Sequence, residues 1–398
     1  MRIVLVFLFV FCTLSSPLSI NIFDVGQADS QLIVFPSGYS VLIDLGEVRD
    51  DPNPTNVLKV SEKIKQILNS TYIDVVVLSH EHSDHYGYVN KSGLWYLFEK
   101  LEFKTGKFID RDFGSYEGED RRNCNYDTFN FKVVGEFEQI AMDWACYADS
   151  MKDKTKLSSL RETAEVCSHT QINPPDTDCE VEIFTSNGFG AVRIDGLSVE
   201  ANYLNDPLKP SENDYSIGIR VKYGDFVYVT SGDLDGGYAY SYGTTINNIE
   251  TEIKNIVGSV DVYRANHHGS KHSSSWDYLN VLNPVVSIIS CGEGNPYYHP
   301  APTTAYRLHS VSETVYATEK CNTQVSYDNY FEMQDDIIIT VESNSSKVFT
   351  VENGNKTYKK EFTIKSNKAS RDVCVRPEVS DGSLSVFTLM ILAVFFAL

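Results

Sequence analysis

Between residues 20 and 46 the chain alternates short apolar runs with turn residues, in the segments INIFDVG, SQLIVFP and SVLIDLG. Apolar runs bounded by Gly, Pro, Asp and Ser predict three short strands. Residues 55–69, TNVLKVSEKIKQILN, repeat their apolar positions with the 3.6-residue period of an amphipathic helix. IDVVVLS follows at 73–79, a continuous β-branched run of the kind that a strand buried on both faces requires. LWYLFEKLEF then reads as a second helix. Regular pattern returns after residue 185 in FGAVRIDGLSVEANYL, YSIGIRVKYG and DFVYVTSGD, each an alternating strand ended by Gly or Asp turns. TINNIETEIKNI predicts a helix, and VDVYRANHHGS and PVVSIISCG predict two more buried strands with polar ends. Residues 336–365 predict a terminal β-hairpin. Strands and helices mixed in this way specify an α/β protein.

Two stretches break the pattern. Residues 105–185 carry many charges, no clear period and the cysteines Cys124, Cys146, Cys167 and Cys179, which reads as an insertion stapled by disulfides. The ends differ again. Residues 1–19, MRIVLVFLFVFCTLSSPLS, have the apolar core and small-residue end of a secretory signal peptide. Residues 366–398 read as a tether closing on an apolar run, Val386–Leu398, too short for the ~20 residues that span a bilayer and similar to a GPI-attachment signal. A secreted, cell-surface chain accommodates the four acceptor sequons at Asn69, Asn90, Asn344 and Asn355. The formal charge is −20, from 54 acidic against 34 basic residues. That balance excludes a general polyanion-binding surface while leaving room for a locally positive, metal-loaded cleft.

The candidate chemistry gathers at predicted strand ends. Asp44 precedes Gly46 after SVLI; His80, His82, Asp84 and His85 form H-x-H-x-D-H after IDVVVLS. Side chains two apart on extended chain share a direction, so His80 and His82 can reach one ion. Asp84 and His85, beyond the turn, can reach a second. Imidazole with carboxylate suits zinc first, with manganese or iron as alternatives. Further along come Asn213, Asp214 and Ser216 in ENDYSIGIRV, Asp233 ending VYVTSGD, His267 and His268 ending YRANHHGS, and His299 in NPYYHPAP. His169, His272 and His309 lack this strand-end setting and read as structural or exposed.

Asp44, H-x-H-x-D-H, Asp233 and a strand-end histidine, in that order, resemble the metallo-β-lactamase superfamily. FDVGQADSQLIVFPSGYSVLIDLG, NDYSIGIRV, ANHHGS and GNPYYHP are similar to the C-terminal domain of ComEC-type DNA-uptake proteins. The resemblance runs over roughly 20–100 and 185–325 and skips the cysteine-rich insertion and both tails. It implies a four-layer αβ/βα sandwich occupying residues 20–335, with one or two divalent ions at a sheet edge. It implies His80 and His82 on one ion, Asp84 and His85 on the other, Asp233 between them, and one of His267 and His268 completing the second site. Asp44 would orient the ligands from behind. Asn213, Asp214 or Ser216 stands where many superfamily members place a further histidine.

The leading functional expectation is a metal-dependent phosphodiester hydrolase acting on a small or medium-sized substrate, nucleic acid included. Asp84 and His299 are the candidate catalytic groups, Asp84 holding the attacking water and His299 serving the leaving group or the substrate. The same parts would hydrolyse carboxylic esters, lactones or amides, and a non-catalytic surface binding protein on this scaffold is the third reading. The membrane enters only through the C-terminal lipid signal, and no protein partner is implied.

Overall fold

The computed structural model describes residues 16–112, 114–116, 129–131, 139–151, 160–189, 210–241, 244–366 and 368–375. The first sheet holds nine strands, and its centre is a run of parallel and antiparallel neighbours near the N-terminus. β1 (Leu18–Ile22), β2 (Gln31–Val34) and β3 (Ser40–Ile43) form an antiparallel meander. β4 (Tyr72–Val77) and β5 (Lys104–Asp110) add parallel to β3, joined through α1 (Thr55–Leu68), then α2 (Ser83–Tyr86) and α3 (Gly93–Glu99). β6 (Gly114–Tyr116) and β7 (Phe129–Phe131) pair as a separate ribbon, α4 (Gln139–Met151) follows, and β8 (Leu160–Thr163) closes the edge beside β5.

The second sheet holds seven strands. β9 (Cys179–Thr185), β10 (Gly218–Tyr223) and β11 (Phe226–Thr230) are antiparallel. After the ribbon β12 (Gly236–Ser241) and β13 (Thr244–Asn248) and helix α5 (Glu250–Val257), β14 (Val262–Arg264) adds parallel to β11. Helix α6 (Trp276–Leu282) leads to β15 (Val286–Ile289), and α7 (Pro302–Val311) to β16 (Thr314–Ala317), all parallel, with β17 (Tyr330–Glu332) at the edge.

Burial shows how the layers stack. Val75 and Val77 of β4 join Ile219, Val221, Val262 and Ile288 of the second sheet in one core between the two sheets. The alternate residues Val76 and Leu78 face outward onto Val57, Val60 and Ile64 of α1, Leu94 and Leu97 of α3 and Trp144 of α4. The second sheet turns Val227, Val229 and Tyr263 onto Ile253 of α5, Leu279 of α6 and Leu308 of α7. Period-two side chains that are apolar on both faces give the order helix, sheet, sheet, helix, which is the αβ/βα sandwich. At roughly 1.5–3 kcal/mol for each fully buried aliphatic side chain, the two sheets are held mainly by this shared core.

Helix α1 begins without an acidic residue in its first turn. Glu47 supplies the acceptors instead, taking the Asn56 and Val57 N–H groups at 2.8 and 3.1 Å, while burial pushes its pKa up to about 7. That satisfies donors a helix start leaves open. Asn69 ends the helix in the left-handed region, at φ 49°.

Several expectations need correcting. The segment 336–365 is not a free hairpin. It forms three strands, β18 (Ile337–Val341), β19 (Val348–Asn353) and β20 (Lys359–Thr363), and β18 pairs with β1 to extend the first sheet. Leu18 and Ser19 pair with Val341 and Thr340, so a leader ending at residue 19 would cut into β1. Residues 1–15 lie outside the described residues, as do 376–398 and most of FGAVRIDGLSVEANYL. The insertion is narrower than 105–185, because β5, β8 and β9 belong to the sheets. The cysteines are not paired only among themselves. Cys167 bonds Cys374, Cys291 bonds Cys321, Cys146 is disulfide-bonded, and Cys179 is a free thiol. Cys124 lies outside the described residues. The reason is the strap at 368–375, which returns to the body. Lys368 pairs with Asp261 at 2.8 Å and Arg371 with Glu182 at 2.6 Å, bringing Cys374 to the turn that carries Cys167.

Candidate metal centre

The ends of β4, β11, β14 and β15 converge at one edge of the sandwich. Each strand end delivers one part of the site. β4 runs into the loop carrying His80 and His82 and then α2, which carries Asp84 and His85. Gly46 is required beside it, since a Cβ there would lie 1.7 Å from the Asp84 carbonyl oxygen. β11 ends in Ser231-Gly232-Asp233, with Gly232 at φ 51° pressed against Ser79 and Ser216. β14 ends in a tight turn, Asn266–Gly269, in which His267 and His268 both adopt positive φ. Two consecutive non-glycine residues in that region are strained, and such strain is a feature of sites where side-chain placement matters.

Asp84, His85, Asp233 and His268 bring ligating atoms within 4.8 Å of one another, all buried. His85 Nε2 stands 3.2 Å from Asp233 Oδ1. His268 Nε2 stands 3.6 Å from Asp233 Oδ2 and 3.7 Å from Asp84 Oδ2. Both imidazoles are fixed from behind. His85 Nδ1 donates to Asp44 Oδ2 at 2.8 Å, and His268 Nδ1 donates to the Ser290 carbonyl at 2.8 Å. A proton held on Nδ1 leaves the Nε2 lone pair facing the cluster, which is the form a metal takes. Neither Nε2, nor Asp233 Oδ1, is satisfied by a hydrogen bond. Buried orphans cost about 1–3 kcal/mol each, and a divalent cation among them removes that cost. The residues present therefore fit a metal ion.

Asp44 sits at φ 60° and collects the site's backbone. It accepts from Ser79 N and Ser79 Oγ, each at 2.7 Å, besides His85. Burial raises its carboxyl pKa against the opposing pull of His85. Burial likewise disfavours charge on Asp84, yet His268 and His85 beside it hold its carboxyl well below the usual range. Both adjacent histidines bring Nε2 near Asp233 Oδ2, at 3.6 Å for His268 and 3.8 Å for His267, and they differ in burial and in the partner of Nδ1. His268 joins the cluster. His267 turns to the mouth, with Nδ1 3.0 Å from Asp235 Oδ1 and Asn213 Nδ2 3.3 Å away.

His80 and His82 stand apart from the four-residue set. His80 Nε2 lies 3.0 Å from His82 Nδ1, and the His80 and His85 rings are 4.1 Å apart. Asp214 faces elsewhere, receiving Asn247 N and Nδ2 at 3.2 and 2.7 Å. Ser216 Oγ accepts from Asp233 N at 3.1 Å and so holds the backbone of a cluster residue. His299 stacks on Tyr297, with centroids 5.6 Å apart, and meets His267 edge-on at 5.5 Å. Burial, reinforced by His267 and His268, pushes its pKa down to about 3, so its ring is neutral near pH 7. His169 lies against Glu180 and Glu182, His309 stacks on Tyr327, and half-buried His272 has its pKa lowered by burial.

Three groups escaped the sequence reading. Asp235 tethers His267; its signal was the D-x-D spacing with Asp233. Arg264, fully buried at the end of β14, donates to the Gly232 carbonyl at 2.7 Å and pairs with Asp29 at 2.8 Å. A charge inside the apolar run VDVYRA was its signal. Arg111 pairs with Glu81 and Glu212 behind the His80 loop, and nothing in its local sequence marked it.

Four layers with a histidine–aspartate cluster at one sheet edge define a metallo-β-lactamase-like architecture. The particular likeness is to three curated proteins, one of them Competence protein ComA of Neisseria gonorrhoeae, to which the chain is 28% identical over 117 residues, covering 29% of this chain and 16% of that protein. The chain is 29% identical over 126 residues to ComE operon protein 3 of Bacillus subtilis, covering 31% of this chain and 15% of that protein. It is 31% identical over 120 residues to Recombination protein 2 of Haemophilus influenzae, covering 30% of this chain and 14% of that one. The chain thus spans about a seventh of the length of these relatives. Among solved structures, the short form of human tRNase Z aligns with a TM-score of 0.33 at 11% identity, over 79% of this chain and 94% of that one. No family profile matches the chain.

Proposed function

We propose that this chain is a secreted, cell-surface metallohydrolase that cleaves phosphodiesters. The observation that carries the reading is the buried set Asp84, His85, Asp233 and His268, with both imidazoles locked to present Nε2 inward. A divalent ion held there, zinc by the donor chemistry, supplies Lewis acidity and an acidified water. His80 and His82, whose Nε2 and Nδ1 approach to 3.0 Å, are left for a second and weaker ion.

The chain's own residues divide the remaining work. Asp44 and the Ser290 carbonyl hold the two imidazoles in the ligating tautomer. Asp84 Oδ2 would accept a hydrogen bond from the attacking water and so hold it for attack. Arg264 fixes the Gly232 carbonyl and stands 3.9 Å from Asp233, partly balancing the carboxylates. His267, at the mouth and held by Asp235, orients the leaving group, and neutral His299 beside it binds substrate through a ring nitrogen. The unloaded site is acidic, with Asp29, Asp44, Asp84, Asp233 and Asp235 all buried. Together with the −20 charge, that repels a long polyanion and favours a compact phosphodiester. The name of the Haemophilus influenzae relative, Recombination protein 2, favours nucleic-acid or related phosphodiesters over esters and lactones. The disulfides support an oxidising compartment, and the four sequon asparagines are all exposed. A lipid anchor would be added beyond residue 375.

The test is a substrate panel on metal-loaded protein. Turnover of phosphodiesters, lost on chelation and restored by zinc or manganese, is expected. Turnover confined to esters or lactones replaces the substrate class, and no turnover of any class with stoichiometric metal bound refutes the enzyme reading.

A further inference from the structure

Behind the His80–His82 loop lies an ion cluster that the ligand set does not use. Arg111, just past β5, is buried and grips Glu212 with both arms of its guanidinium, Nε to Oε1 and Nη2 to Oε2, each at 2.6 Å. The same Nη2 donates to Glu81 Oε2 at 3.2 Å. Glu212 Oε1 also accepts from the Glu81 backbone N–H at 3.0 Å, and the guanidinium lies 4.8 Å over the Tyr215 ring. Glu81 stands between His80 and His82, and Glu212 immediately precedes Asn213.

One planar cation therefore joins the loop carrying two imidazoles to the turn carrying Asn213, whose amide nitrogen lies 3.3 Å from the His267 ring. A bidentate guanidinium–carboxylate pair fixes orientation as well as distance. Two buried carboxylates on one guanidinium are a poor way to gain stability, because apolar replacements of such clusters are often neutral or stabilising. Their placement gives them a different use. We infer that Arg111 is a positioning residue that holds the His80–His82 loop in register for a second divalent ion, without touching that ion. The inference rests on the proposed two-ion centre.

The experiment is metal titration of the full-length mature protein by equilibrium dialysis against zinc, with cobalt absorption spectra as a second readout. Wild type is expected to take two equivalents. R111K keeps the charge and loses the fork. It should keep its first equivalent and a cooperative thermal transition, while its second is weakened by about tenfold or more, with an altered cobalt spectrum for that equivalent. E212D, which keeps both charges and shortens the other side of the fork, should do the same and serves if R111K fails to fold. A second equivalent as tight in both variants as in wild type overturns the role of Arg111 and leaves the two-ion centre standing. A single equivalent in wild type overturns both.

Discussion

Asp44→Asn isolates the link between the buried carboxylate and the metal. Asp44 contacts no other member of the ligand set than His85, so the variant leaves Asp84, Asp233 and His268 in place. In the native chain Oδ2 receives the His85 Nδ1–H at 2.8 Å and Ser79 Oγ–H at 2.7 Å, while Oδ1 receives Ser79 N–H at 2.7 Å. Three donors point at this carboxylate. An asparagine offers one accepting oxygen and one donating NH2 in the same space. Because Ser79 N–H is backbone and cannot turn, the amide oxygen goes to it and the NH2 faces His85 Nδ1. His85 must then move its proton to Nε2, the atom aimed at Asp233, and lose its lone pair for the ion. Loss of an outer partner of this kind costs 10- to 100-fold in metal affinity, which is ~1.4–2.7 kcal/mol. Competition against a chelator measures zinc affinity directly, and thermal unfolding in excess chelator measures the metal-free fold separately. Zinc affinity within twofold of wild type, in a variant that folds, would refute the tautomer argument.

Other outcomes follow from the same geometry. His268→Ala should lose the first ion, whereas His267→Ala should keep it and lower kcat by ~10²-fold, as removal of a group serving the leaving atom does; equal metal loss in both would reverse the sorting of this pair. Gly46→Ala should destabilise the protein and release metal together, since its Cβ would strike the Asp84 carbonyl oxygen; denaturation midpoints with and without zinc check this. Glu250 is buried under the Ser274 and Ser275 N–H groups and Asn266, and burial pushes its pKa up from 4.5 to about 7. The folded state then holds a proton that the unfolded state has released, so its contribution to stability falls as pH rises from 4.5 to 7 and is flat above. Relative to Glu250→Gln, wild type should lose roughly 3 kcal/mol across that window in urea melts, and a pH-independent difference would contradict it. Cys374→Ser opens a bridge between residues 207 apart, which lowers stability by up to roughly 5 kcal/mol on loop-entropy grounds and should lower the non-reducing melting temperature.

The parts of the site that were legible share one property: local sequence sets them. H-x-H-x-D-H follows a strand whose β-branched run announces burial on both faces, so its place at a sheet edge follows from pattern alone. The choice between His267 and His268 was not legible. Neighbouring residues are separated only by the double left-handed turn and by the Ser290 carbonyl, 22 residues away, which claims His268 Nδ1. Cys167 was grouped with its neighbours by spacing, while its partner Cys374 arrives on a strap held by Lys368 and Arg371. The strands of 337–363 were visible as alternation, but alternation carries no address, and the pairing of β18 with β1 joins residues more than 300 apart. Arg111 shows the same limit, since its two carboxylate partners lie 30 and 101 positions away.

Metal content of the purified mature protein, measured by mass spectrometry beside His268→Ala, reaches the central claim most directly. At least one equivalent of zinc, manganese or iron in wild type, and its loss in a folded His268→Ala, is the expected result. A wild-type protein that folds, is exposed to these ions and retains none would contradict the account.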